Sequence, residues 1–182
     1  MAFNINAFQG AMKFGGARPS LFQVNITNPV NGASDIQVPF MVRAAQIPGS
    51  TLGVVPLRYF GREVKFAGNR TFEPWTVTIF NDEDFAIRNA MEEWSNAISS
   101  HEENLRELGS ASPVLYKSNA QVTQFSKTGV PVRVYDFVGL FPSEISPIEV
   151  DWESEGIETY TATFQYDYWR VSGGITGTAG TA

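Results

Sequence analysis

From Glu158 to Trp169 the side chains alternate. Tyr160, Ala162, Phe164, Tyr166 and Tyr168 fall on one side, Thr159, Thr161, Thr163, Gln165 and Asp167 on the other. A period of two commits a segment to a half-buried strand and excludes a helix, whose apolar positions recur every three or four residues. The same period returns upstream. Phe22, Val24 and Ile26 alternate with Gln23, Asn25 and Thr27, and Trp75, Val77 and Ile79 oppose Thr76, Thr78 and Phe80. A strand is predicted from Ile36 to Ala45, where Pro39 argues for an edge or a bulge. Leu52 to Phe66 reads as a long hairpin or bent ribbon interrupted by Pro56 and Gly61. Ala120–Lys127 and Val132–Phe141 form a hairpin around Thr128-Gly129, and Ile145–Trp152 holds a short strand.

One segment has the other period. Ile87, Met91, Trp94 and Ile98 make an apolar stripe, with Arg88, Glu92 and Ser95 opposite. Asp82, Glu83 and Asp84 precede it, where acids suit the positive end of a helix dipole, and Asn81 or Asp82 offers an N-cap. A helix is predicted over about residues 82–100. From His101 to Ser112 the pattern does not choose between a second short helix and a loop. The fold class that follows is mainly β: an antiparallel barrel or sandwich with one flanking helix. One domain spans residues 17–170. Residues 1–16 form an arm with little structure of its own, and residues 171–182 form a flexible Gly/Thr/Ala tail.

Composition narrows the function. The 182 residues are 43% hydrophobic, enough for a real core. Apolar runs stay far below the roughly 18 residues of a membrane helix, and Met1 to Asn6 has neither the basic nor the apolar region of a secretory signal. Without cysteine there is no disulfide framework and no thiolate metal site, so stability rests on packing and association. A net charge of −6, with no cluster of Lys and Arg, argues against a grip on nucleic acid. It leaves room for nucleic acid to pass a repelling wall.

No chemistry emerges. His101 is the only histidine, and Leu105 stands where a zinc helix needs its second one. Asn81 to Asp84 lacks the glycine and distal Glu of a calcium loop, and capping explains it better. Glu92-Glu93 and Asp151-Glu153 are carboxylate pairs that nothing places in a cleft. There is no Gly-x-Ser-x-Gly and no phosphate-binding glycine loop. No enzyme, cofactor or metal is expected. The aromatics, 13% of the chain, say more. Phe80 lies opposite Trp75, Val77 and Ile79, and Trp169 opposite Phe164 and Tyr166. Strands with two apolar sides need a second burial partner, either the helix or a neighbouring subunit.

Several short motifs carry a resemblance as a set. Arg18-Pro19-Ser20-Leu21-Phe22 comes first, then Gly68-Asn69-Arg70-Thr71-Phe72 with Trp75, then Asn81-Asp82-Glu83. Gly139-Leu140-Phe141-Pro142, Asp151-Trp152 and Asp167-Tyr168-Trp169 follow. In this order, over roughly residues 15–170, the chain resembles the tail tube proteins of contractile-tailed bacteriophages, whose fold also serves type VI secretion and bacteriocin tubes. The tail after Arg170 and the loop from Asn28 to Asp35 depart from the pattern. The resemblance implies a structural virion protein, made in the bacterial cytoplasm. Six copies form a ring whose strands join into one sheet around a lumen, and rings stack into the rigid inner tube through which DNA is delivered. The implied partners are further copies of itself, the tail sheath, the baseplate hub, the tail terminator, and the tape-measure protein and DNA in the lumen, the DNA without sequence-specific binding. No membrane anchor is implied. Rings in such tubes stack through an extended hairpin and the termini. The candidate here is Pro48 to Phe66, with Leu52, Val54, Val55, Leu57, Tyr59 and Phe60 as its apolar residues and residues 1–16 contributing. A ring of six carries about −36, and acids facing inward would keep DNA from sticking. Two other readings stay open: the tube of a phage-derived injection system, and a monomeric barrel whose Tyr160–Tyr168 row lines a ligand cavity. A hydrolase using the scattered carboxylates has no positive support.

Overall fold

The computed structural model describes residues 4–12, 15–102, 106 and 112–179. Period-two segments form antiparallel strands whose apolar face is the core. In β1 (Phe22–Ile26) Val24 and Ile26 are buried, and in β5 (Trp75–Phe80) Trp75, Val77 and Ile79 are buried. The remaining strands are β2 (Val42–Ala45), β3 (Thr51–Tyr59), β4 (Arg62–Thr71), β6 (Ser118–Phe125), β7 (Pro131–Ile145), β8 (Thr159–Gln165) and β9 (Tyr168–Gly173). The order β1-β6-β7-β8-β5-β2 makes one sheet, with β9 also on β7, and β3-β4 stands apart as a two-stranded ribbon.

β7 organises the sheet. Its first half pairs with β6 and β9, and its second half with β8. The sheet thereby folds into two layers, β1-β6-β7-β9 and β7-β8-β5-β2, around Trp75, Trp94, Phe137, Leu140, Tyr160 and Phe164. β1 and β2 approach each other without pairing, so the barrel is not closed. The predicted single strand from Glu158 to Trp169 is two, β8 and β9, kinked at Tyr166-Asp167. Gly139 faces the kink on β7 with φ +73°, and a Cβ there would overlap the Asp167 carboxylate. Lys117 holds that carboxylate at 2.6 Å, and the Asp167 N–H donates to the Val138 carbonyl. Tyr160, Ala162 and Phe164 are buried as expected, but Tyr168, beyond the kink, is exposed.

The helix is α3 (Ala86–Ile98), with Ile87, Ala90, Met91 and Trp94 buried and Ile98 half-buried. It starts four residues later than predicted. Asn81 closes β5 instead of capping, its amide donating to Glu158 and its backbone N–H to the Glu158 carbonyl. Asp82 turns the chain, its carboxylate and carbonyl accepting from the N–H groups of Glu83 and Phe85. Phe85 takes the N-cap position in the left-handed region, φ +50°, and the Asp84 carboxylate receives the Ala86 N–H. Trp94 donates to the Tyr116 carbonyl, and Asn28 donates to the Ala90 carbonyl, so the helix is tied over one end of the sandwich.

Other boundaries shift too. The predicted strand from Ile36 is first a single helical turn, α2 (Val38–Met41), because Pro39 fits a first turn, where an N–H is not needed. Only Val42–Ala45 pairs, with a bulge against β5. The arm is not featureless: α1 (Ile5–Ala11) has Asn4 as its N-cap, yet buries nothing. No strand forms between Ser146 and Trp152. Most of the undecided stretch, residues 103–105 and 107–111, lies outside the described residues, and Pro113–Tyr116 is a short helix, α4. Past residue 170 the chain still belongs to the fold: Val171 is buried in β9, and the N–H groups of Ile175 and Thr176 donate to the Pro131 and Val132 carbonyls. Among the described residues no helix is long and apolar enough to cross a membrane.

Candidate assembly surfaces

The β3-β4 ribbon sorts its side chains by register. Val55 faces Phe66, Leu57 faces Val64 and Tyr59 faces Arg62 across the pair, which puts these residues on one face. Val54 opposite Ala67, Pro56 opposite Lys65 and Arg58 opposite Glu63 take the other. The first face is apolar, and every one of its apolar residues is exposed. Leu52 and Val54 are exposed as well. The turn is Phe60-Gly61, with φ +47° and +77°, the pair of left-handed residues a two-residue hairpin turn requires. Glycine meets that demand easily, while Phe60 sits there under strain and is 90% exposed.

Indole rings fix the root of the ribbon. Trp75, stacked on Phe137 at 4.3 Å, donates through Nε1 to the Gln46 carbonyl. Trp169 donates to the Gly49 carbonyl at 3.0 Å. These bonds hold the leg from Gln46 through half-buried Pro48 that launches β3. On the other leg Phe72 packs against Tyr166 and Trp169. Above the root, Gly53 and Gly68 meet across a bulge, where a Cβ on either would come 3.1 Å from backbone. Of the resemblance motifs, Phe72, Trp75 and Trp169 therefore converge on one place. The sequence signals them only as aromatic positions in separate motifs.

The others scatter. Arg18 and Pro19 are exposed before β1, Phe22 is half-buried in it, and Asn69, Arg70 and Thr71 are exposed at the end of β4. Asn81 and Asp82 shape the β5–α3 turn. Asp151 accepts the Glu153 N–H in an exposed loop, and Trp152 beside it is fully exposed. Asp167 and Tyr168 mark the β8–β9 kink.

The sites tested for chemistry are engaged structurally. Glu92 pairs with Arg88 at 2.8 Å and Glu93 accepts from Asn31 at 2.7 Å. Among the described residues no three His, Asp or Glu side chains gather as a metal site. Tyr160 is buried in the core between β5 and β7 rather than lining a cavity, its ring under the Arg88 guanidinium at 5.2 Å. Burial pushes its pKa up, with Arg88 pulling the other way.

Among the described residues β1, β2 and β9 each pair with only one strand of the sheet, so each lies at an edge of it.

The phage tail tube protein family matches residues 7–172. The tail tube protein gp19 of Enterobacteria phage T4 is 32% identical over 156 residues, covering 85% of this chain and 91% of that one. A tail tube protein of Serratia phage KSP90 is 28% identical over 162 residues, with 86% and 89% coverage. Among solved structures, a chain of the PVC sheath/tube terminator of an extracellular contractile injection system, in the extended state, superposes with a TM-score of 0.64 at 13% identity, covering 87% of this chain and 97% of that one. The last likeness speaks for the fold alone, and the two phage relatives speak for more. The chain belongs to the phage tail tube protein family, as a structural component of the virion and not an enzyme.

Proposed function

We propose that copies of this chain close into six-membered rings and that the rings stack with a helical twist into the inner tube of a contractile tail, through which DNA leaves. The β3-β4 ribbon carries the reading. Two strands alone are marginally stable in water, and this pair keeps a whole apolar face uncovered by its own chain. A second copy in the next ring is the occupant that offsets this exposure. The single-paired edges of β1, β2 and β9 support ring closure, since a neighbouring strand satisfies the open backbone groups. On this reading the sheath surrounds the tube, the baseplate hub and terminator cap its ends, and the tape-measure protein and DNA occupy its lumen.

Negative-stain electron microscopy of the purified protein, with light scattering on the same sample, tests this. Rings or hollow tubes are expected. A subunit that stays monomeric at high concentration, and in the presence of its baseplate and sheath, sinks the proposal. Leu57→Lys combined with Val64→Glu tests the ribbon by itself, because the two sites face each other and the pair stays charge-matched across the strands. Both sites are exposed, so stability stays within about 0.5 kcal/mol while tubes are lost. Normal tubes from that variant would remove the ribbon from the stacking contact and leave the tube reading standing.

A further inference from the structure

The β1-β6-β7-β9 layer has a core face, where Val24, Val122, Phe137 and Val171 are buried, and a polar outer face. The register orders that outer face into rows. Asn25 is opposite Gln121, Gln121 opposite Asp136, and Asp136 opposite Arg170, so one row crosses all four strands. Beside it run Asn119, Val138 and Tyr168 on one side and Gln23, Thr123 and Val134 on the other. The middle and Asn119 rows line a groove of about 410 Å³. Asp136 and Arg170 are the only ionised side chains the register puts on this face. Gln121 Nε2 donates to Asp136 Oδ1 at 2.9 Å, and Arg170 Nε lies 3.8 Å from Asp136 Oδ2. The face is neutral although the chain carries −6. The excess acid sits elsewhere, in Asp82 to Asp84 and Glu92-Glu93 around α3 and in the 149–158 loop.

We infer that this face is the wall past which duplex DNA moves, and that it lets DNA slide because the Asp136 carboxylate, oriented by Gln121, offsets the Arg170 charge beside it, not because the wall repels. The inference rests on the tube proposed above and adds its lining. β1 and β9 are the outer edges of this same layer. Pairing β9 of one copy with β1 of the next continues the row, on the same face, into a belt that repeats amide, amide, acid, base. A basic belt would retain a polyanion through its phosphates, and an acidic one would raise the cost of filling the lumen. A belt of amides with one compensated pair does neither.

Two experiments on assembled tubes test it. In a cryo-EM reconstruction Asp136 and Arg170 face the lumen; the same residues on the outer surface or between rings would overturn the lining and spare the tube. Absence of any tube would instead strike the tube itself. The second experiment co-sediments tubes with a short labelled DNA duplex. Asp136→Asn frees one guanidinium per subunit, about six per ring. Retention at about 50 mM salt is expected to rise at least tenfold over the parent and to vanish at about 200 mM, because roughly six phosphate contacts lose on the order of 1,000-fold in affinity over that range. Adding Arg170→Gln returns retention to the parent level. Glu153→Gln makes the same charge change in the exposed loop and stays at the parent level. If Asp136→Asn retains no more DNA than Glu153→Gln, the inference fails. Should Asp136→Asn not assemble, Gln121→Lys puts a cation in the same row and is read the same way.

Discussion

The Tyr160 hydroxyl is buried and has no hydrogen-bond partner among the described residues. A buried polar group left unpaired costs about 1–3 kcal/mol, so Tyr160→Phe is expected to stabilise the subunit by about 1 kcal/mol in a urea titration. A pH series adds the sign. The folded pKa lies above the unfolded one, so this group's contribution is full below about pH 10 and is lost as the pH rises further. Tyr160→Phe therefore flattens the alkaline fall in stability. A variant with a lower urea midpoint would show that the hydroxyl has a partner after all, and an unchanged alkaline limb would show that burial does not raise its pKa. Single residues of this kind were half legible in the sequence. Alternation placed Tyr160 in the core, but not the missing partner, which depends on Arg88 and β7 arriving from elsewhere. Trp152 was legible only as part of a motif, and its full exposure is a fact of the folded loop.

Elements followed their periods closely where the chain itself sets them. β1, β5, the β3-β4 ribbon and the stripe of α3 lie where alternation and helical spacing put them. Two of the misses share a cause, contacts distant in sequence, whereas the helical turn at Pro39 and the helix capped by Asn4 are local. Asn81 left the cap position because Glu158 binds it. The 158–169 strand broke because Lys117 and the turn space at Gly139 draw Asp167 out of line. The root of the ribbon was illegible for the same reason, since its three aromatics come from segments almost a hundred residues apart. Gly139→Ala tests the kink. It forces a side chain into positive φ and against the Asp167 carboxylate, and a loss of about 2 kcal/mol or more is expected by thermal or denaturant unfolding. Lys117→Ala removes only an ion pair half open to solvent, so its loss stays below about 1 kcal/mol. Equal losses from the two would mean that the charge, not the turn, sets the kink.

At the scale of the molecule, stability and assembly are linked. Anything that binds the folded subunit and not the unfolded chain raises its melting temperature, and in the tube proposed above the ligand is another copy. Calorimetry is expected to find assembled tubes melting above the free subunit. Hydrogen exchange is expected to show β3 and β4 amides protected in tubes and fast in monomers, while β5 and β8 are slow in both. Protection of the ribbon in the monomer would mean that it packs on its own body.

β7 has one more consequence. Fifteen residues extend about 50 Å at the usual strand rise, and this single strand belongs to both layers. β8 and β9 run beside it through the same bend. The layers are thus not two plates held by grease between them. To slide one over the other, a force must shear both hydrogen-bond ladders along their length, all bonds together, instead of opening them one at a time. A thrust delivered to one layer passes to the other through covalent backbone, which makes the subunit a strut rather than a cushion.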